Sequence, residues 1–167
     1  QPSASLDSAD SIAEGTTPLS PRIEEQALLS IMQRLPGQRV TIISQGRGQS
    51  AQILARERPQ ATVQLWYIDG FAAHLSRQAL GTLSNLSILC QADWPEGECD
   101  LAGVCLKKNG ETELARDCIQ SAYHALPIGG SLVAAVDHAK DRWLHDLLKG
   151  YEKSVKVRPF EDAMVYV

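Results

Sequence analysis

Residues 39–70 read RVTIISQGRGQSAQILARERPQATVQLWYIDG. Two apolar runs rich in β-branched and aromatic residues, Arg39–Ser44 and Thr62–Ile68, carry strand chemistry. Between them Gly46-Arg47-Gly48 turns the chain into a helix at about residues 49–58, stopped before Pro59. Strand, helix and strand at this spacing make a right-handed crossover between parallel strands. In such a sheet the ligand crevice opens at the carboxyl ends of the strands, beside the first one. That end reads Ser44-Gln45-Gly46-Arg47-Gly48-Gln49-Ser50-Ala51. Gly46 is expected to turn the chain tightly and Gly48 to let a ligand approach the backbone, and the helix start offers free N–H groups. Asp69 follows Gly48 by 21 residues and closes the second strand, where a carboxylate takes both hydroxyls of a ribose. The same residues also suit a plain tight turn with a solvated Asp69.

Downstream the alternation continues. Ala72, Leu75 and Ala79 mark a helix, Leu86–Cys90 a third strand and Leu101–Leu106 a fourth. A helix from about Thr112 to Leu126 places Ala115, Ile119, Ala122 and Leu126 on one face. Pro127-Ile128-Gly129-Gly130 leads into a fifth strand, Ser131–Val136, and Asp141 is positioned to cap a helix carrying Leu144, Leu147 and Leu148. Two last runs, about Ser154–Val157 and Ala163–Val167, lie too close for a helix between them and pair as an antiparallel hairpin. Upstream, a helix over about Pro21–Leu35 is expected, capped by Ser20, with Pro21 in its first position and Glu24 and Glu25 at the positive end of its dipole. Ile23, Ala27, Leu28 and Ile31 form its apolar stripe. Residues 1–20 (QPSASLDSADSIAEGTTPLS) have no periodicity and read as a flexible arm before one domain at 21–167. The expected fold is α/β: a doubly wound, Rossmann-like, seven-stranded sheet, parallel except for the strand at Ala163–Val167.

Composition limits what this fold does. The 167 residues carry 20 acids against 16 Lys and Arg, a formal charge of −4. A net-acidic domain is a poor free-standing nucleic-acid binder, because phosphate affinity comes from clustered cations. No apolar run approaches the ~18 residues a membrane helix needs, so no membrane partner is expected. Cys90, Cys99, Cys105 and Cys118 contain no C-x-x-C pair and share no ligand spacing with His74, His124, His138 and His145, so no zinc site is expected. The four thiols are read as buried and reduced, as in a cytoplasmic protein.

The order of elements, ending in the hairpin, resembles the class I S-adenosylmethionine-dependent methyltransferases over about residues 22–167. The family's glycine motif matches Gly46 and Gly48, its second-strand acid Asp69, and its acid near the adenine Asp93 of Gln91-Ala92-Asp93-Trp94. Its Leu-x-Pro-Gly-Gly stretch looks like Leu126-Pro127-Ile128-Gly129-Gly130, with the proline one place early. The resemblance thus implies a cofactor set of Ser44, Gly46, Gly48, Asp69 and Asp93. Ser44 stands where the family has an acid that pairs with the cofactor's ammonium, so the resemblance implies weak or lost binding. Base-amine methyltransferases carry Asn/Asp-Pro-Pro-Tyr/Phe after the fourth strand, whereas this chain has Leu106-Lys107-Lys108-Asn109-Gly110. That departure is similar to the N-terminal copy in bacterial small-subunit rRNA guanine exocyclic-amine methyltransferases, tandem duplications whose N-terminal copy is noncatalytic. The likeness implies no catalytic residue here, and contact with rRNA through a companion catalytic domain beyond Val167. Two alternatives remain open: an active methyltransferase with a degenerate glycine motif, and a nicotinamide-binding domain, since Gly46-x-Gly48-x-x-Ala51 with Asp69 fits that fingerprint too.

Other chemistry-bearing residues have plainer readings. Lys107 and Lys108 face the crevice and read first as a solvated basic pair, then as a phosphate contact. Arg47 sits in the turn, free to meet an anion or water. Trp66 belongs mid-strand in the core, and Trp94 caps the core or stacks on a base. Asp137 and His138 point to opposite sides of an extended segment, so His138 has no assigned catalytic role.

Overall fold

A computed structural model describes residues 20–167; the expected arm, up to residue 19, lies outside the described residues. In chain order the elements are α1 (Ile23–Met32), β1 (Arg39–Ile43), α2 (Gln49–Glu57), β2 (Thr62–Tyr67), α3 (Gly70–Leu80), β3 (Leu86–Cys90), β4 (Leu101–Leu106), α4 (Thr112–Ala125), β5 (Ser131–Val136), α5 (Trp143–Lys149), β6 (Val157–Phe160) and β7 (Ala163–Tyr166). They build one seven-stranded sheet in the order β3-β2-β1-β4-β5-β7-β6. β1 pairs parallel with β2 and β4, and only β7 runs antiparallel, to both β5 and β6. The expected doubly wound sheet with a terminal hairpin is the observed one.

Strand alternation divides the core in two. Leu101 and Cys105 of β4 and Val133 and Ala135 of β5 face α1, α2 and α3, while Ala102, Val104, Leu106, Ala134 and Val136 face α4 and α5. Both faces of the central strands are buried, which is why β4 reads as a continuous apolar run. α1 lies close on its face because Gly103 carries no side chain. A Cβ there would stand 2.7 Å from Met32 Sδ and 3.0 Å from Leu28 Cδ2. Arg58, just after α2, holds the C-terminal end of α1 by donating to the carbonyls of Met32 and Leu35 at 2.8 and 2.7 Å.

Several local expectations change. α1 starts at Ile23, with Arg22 at its N-cap and no side-chain cap, so neither Ser20 nor Pro21 opens it as expected. Its buried residues are Glu24, Glu25, Ala27, Leu28, Leu29 and Met32; the expected stripe does face the core, with Ala27 and Leu28 buried and Ile23 and Ile31 half-buried, and the buried face extends beyond it. β6 occupies Val157–Phe160, starting where the expected run ends, since the turn at Glu161-Asp162 sets the hairpin register. Asp141 does not cap α5; its carboxylate accepts the Tyr166 hydroxyl at 2.7 Å. Cys99, Cys105 and Cys118 are buried, but Cys90 is exposed, because β3 is an edge strand. No helix among the described residues is long and apolar enough to cross a membrane.

Candidate functional site

The crevice at the carboxyl ends of β1, β2 and β4 is the place where this topology reverses direction. It encloses about 220 Å³ and is lined by Ser44 and Gln45 after β1, Tyr67 and Asp69 at the end of β2, and Lys107 and Glu111 after β4, with Cys118 of α4 at its back. A larger cavity of about 480 Å³ opens at the other end of the sheet, against Leu132 and Tyr151. It lies beneath the part of β5 that β7 leaves unpaired, since their register covers only Ala134–Val136. It is lined by the stretch Leu126-Pro127-Ile128-Gly129-Gly130 singled out from the sequence, and by none of Ser44, Gly46, Gly48, Asp69 and Asp93.

The glycine loop closes on itself. The Gly46 amide donates to the Ser44 hydroxyl at 3.0 Å, so this buried serine is engaged within its own turn. The left-handed residue is Gly48, with φ +71°, at the N-cap of α2. A Cβ on Gly48 would lie 2.3 Å from Leu65 Cδ2 and 2.5 Å from Tyr67 Oη. Gly48 is therefore required by packing onto β2, and it does not line the crevice. A Cβ on Gly46 would meet Arg22 Cδ at 3.3 Å and Glu24 Oε1 at 3.6 Å, which brings the start of α1 against the loop. Tyr67 lies beneath these turns, its hydroxyl 2.5 Å from Ser76 Oγ and donating to the Gly46 carbonyl at 3.2 Å. Burial pushes its pKa up to about 12 against the opposing pull of the Ser76 and Ser44 hydroxyls, so it stays a neutral donor at physiological pH.

Two adjacent carboxylates flank this loop. Glu24 is 3% exposed and Glu25 fully buried. Glu25 accepts the Ser50 hydroxyl at 3.2 Å, in the first turn of α2. Its pKa is raised by burial first; a Ser50 backbone hydrogen bond opposes this, and the neighbouring Glu24 adds to the rise. Glu24 is raised by burial and by Asp137, while Arg22 and Lys107 hold it down. An anion at a helix N-terminus is favourable. Here the Glu25 side chain, carried on the neighbouring helix, is hydrogen-bonded at the N-terminus of α2.

The remaining residues separate. Asp69 lines the crevice and caps α3, its Oδ1 accepting the amides of Phe71 at 2.8 Å and Ala72 at 3.3 Å. Asp93 is exposed in the loop after β3 and does not line the crevice; its carbonyl accepts the Gln91 side chain at 3.0 Å. Of the expected cofactor set, Ser44 and Asp69 thus line one crevice, and Gly46, Gly48 and Asp93 do not. Trp66 is core, and Trp94 packs edge-on against it at 5.6 Å. Arg47 is exposed and donates to the Ser20 carbonyl at 3.3 Å. After β4 the chain makes a tight turn in which the Gly110 amide donates to the Lys107 carbonyl at 2.9 Å. Gln45 Oε1 receives the Lys107 amide at 3.4 Å, and Asp137 receives that of Lys108. Glu25, Tyr67, Gln45 and Glu111 are the site residues that pattern reading misses. For Glu25 the spacing Glu25-Leu28-Leu29-Met32, a helical stripe, is the signal that finds it.

Among the described residues no group of three or more His, Cys, Asp or Glu is arranged to hold a metal. Ser44, Gln45 and Asp69 are the groups that could meet a nucleoside, and the crevice is smaller than the ~300–1,000 Å³ of ordinary ligand pockets.

No family model and no curated protein matches this sequence. Solved structures do match its fold. A putative methyltransferase from Pseudomonas syringae aligns with TM-score 0.64 and 18% identity over 86% of this chain and 94% of its own. The N-methyltransferase NodS of Bradyrhizobium japonicum WM9, solved with S-adenosyl-L-homocysteine, aligns with TM-score 0.61 and 14% identity over 86% of this chain and 83% of its own. An O-methyltransferase family protein from Burkholderia thailandensis aligns with TM-score 0.62 and 16% identity over 85% of this chain but 55% of its own, so the chain spans little more than half that protein. At these identities the shared property is the fold: this chain has the Rossmann-like architecture of the class I methyltransferases, terminal hairpin included.

Proposed function

We propose that this chain is a noncatalytic, methyltransferase-like domain that supports the catalytic copy of a cytoplasmic rRNA guanine-amine methyltransferase. The observation that carries this reading is the turn Lys107-Lys108-Asn109-Gly110, held by Gln45 and Asp137. Transfer to an exocyclic amine needs the nitrogen lone pair aimed at the methyl group, by acceptors and a stacked ring. This turn offers two cations and one amide there, and misplacement by about 1 Å costs on the order of a hundredfold in rate. The exposed apolar Ile68, which lines the crevice, and Phe71 and Leu75 of α3 agree with a surface covered by a companion domain. Such a domain could also supply the cations for RNA that a chain of charge −4 lacks.

The test is tritiated-methyl transfer onto small-subunit rRNA and assembled subunits. Residues 1–167 alone are expected to transfer nothing, and activity is expected when the catalytic copy is joined to them. Transfer by this chain alone overturns the reading in favour of an active enzyme with a degenerate glycine motif. The nicotinamide alternative loses support from the antiparallel β7.

A further inference from the structure

Three large apolar side chains stand in the open beside the crevice. Ile68 follows β2, and Phe71 and Leu75 lie one turn apart on α3, 70% and 47% exposed. Helical spacing puts Ala72, which lines the crevice, and Ser76 next to Leu75 on α3. The Ser76 hydroxyl donates to the Arg47 carbonyl at 3.0 Å, and the Arg47 guanidinium donates to the Ser20 carbonyl at 3.3 Å. The chain before Ser20 therefore enters one arginine side chain away from the helix that carries the strip.

Residues 1–19 hold Leu6, Ile12 and Leu19, together with Asp7, Asp10 and Glu14, and none of the 16 Lys and Arg. Where they enter, Arg22 and Arg47 are exposed and make no ion pair among the described residues, although Arg22 attracts the buried Glu24. α3 adds the exposed Arg77. Against these cations the strip's own acid is Asp69, whose Oδ1 already accepts two amides of α3. Across the crevice Lys107 and Glu111 carry opposite signs. The segment thus brings apolar groups and the sign of charge that this surface lacks. Its length suffices, since 19 residues reach up to roughly 60 Å when extended and the 11 residues of α3 span about 16 Å. A tethered segment also meets its surface at an effective concentration that a second copy does not reach.

We propose that residues 1–19 dock on the Ile68-Phe71-Leu75 strip of their own chain, beside the crevice, with their acids toward Arg22 and Arg47. This goes beyond the supporting role proposed above: a companion domain using the strip has to displace the segment.

Cys90 supplies the reporter. It is the exposed thiol of the four, and its Sγ lies 3.8 Å from the Ile68 carbonyl. A nitroxide on Cys90 of the full chain broadens the amide resonances of whatever lies near the strip. Residues 6–14 are expected to be broadened at least as strongly as those nearer Ser20. That broadening is expected to be lost in Phe71→Ser/Leu75→Ser and kept in Ile128→Ser, an exposed apolar residue lining the other cavity. Leu6→Ser/Ile12→Ser repeats the loss without touching the domain, and decides the matter if the α3 variant fails to fold. Broadening that decays steadily from Ser20 toward Gln1 in the wild type overturns the proposal and leaves the strip to a companion domain. Broadening that persists in both double variants, or is lost in Ile128→Ser, overturns it too. Broadening passed from nitroxide-bearing chains to isotope-labelled chains without nitroxide overturns it in favour of a second copy.

Discussion

The Glu25 carboxylate, carried on α1, accepts the Ser50 hydroxyl at 3.2 Å in the first turn of α2, with its second oxygen buried and without a partner. A helix that normally presents its N-terminus to a ligand is here closed by a neighbouring helix. The same contact ties α1 to α2 across the end of the sheet and leaves a buried acid whose ionisation opposes folding.

That acid sets a pH dependence. Burial raises the folded-state pKa of Glu25 above the unfolded value, and Glu24 shifts the same way. For a raised carboxyl the native state binds more protons, so stability is full below the unfolded pKa and falls as pH rises through the folded one. Urea denaturation from about pH 5 to 8 should show stability declining with pH, by about 1.4 kcal/mol for each unit separating the two pKa values. Glu25→Gln should flatten that slope. An unchanged slope in the variant would mean that Glu25 ionises freely in the native state.

Gly48→Ala should be among the costliest single changes to the loop. The residue sits at φ +71°, and the added Cβ would press on Leu65 Cδ2 at 2.3 Å. A left-handed alanine costs roughly 1–2 kcal/mol and overpacking a further 1–3 kcal/mol, so chemical denaturation should record a loss of about 2–5 kcal/mol. A loss below 1 kcal/mol would show that Leu65 and Tyr67 yield.

Thiol labelling should divide the cysteines one against three. Cys90 is exposed on edge strand β3, while Cys99, Cys105 and Cys118 are buried. Burial holds the Cys118 pKa up to about 11 and that of Cys105 well above its ordinary value, which suppresses the reactive thiolate. One thiol should react at once in the native protein, and the other three only on unfolding. Fast reaction of two or more would contradict the packing of α4 on β4.

How far the sequence could be read follows from what each residue answers to. β3, β4 and β5 match their expected bounds because their apolar runs are closed by turn residues such as Gly129-Gly130. β6 is displaced because its register depends on the partner strand, which local pattern does not encode. The stripe on α1 is read in part: Ala27 and Leu28 are buried as expected, but Glu25, an acid, also belongs to the buried face. Asp69 reaches the crevice because a strand end and a helix cap coincide there, whereas Asp93 sits in a loop whose course no periodicity constrains. The role of Gly48 is visible as a glycine but not as a contact with Tyr67, which lies on another strand.

The central claim is that this domain carries the methyltransferase fold without the chemistry. Its most direct test is single-turnover methyl transfer, with residues 1–167 in excess over small-subunit rRNA and labelled S-adenosylmethionine present. The account expects no label in the RNA above the enzyme-free control. Label that appears with the wild-type chain, survives Asn109→Ala and is lost in Asp69→Ala would contradict it, by revealing a working site built on the residue that caps α3.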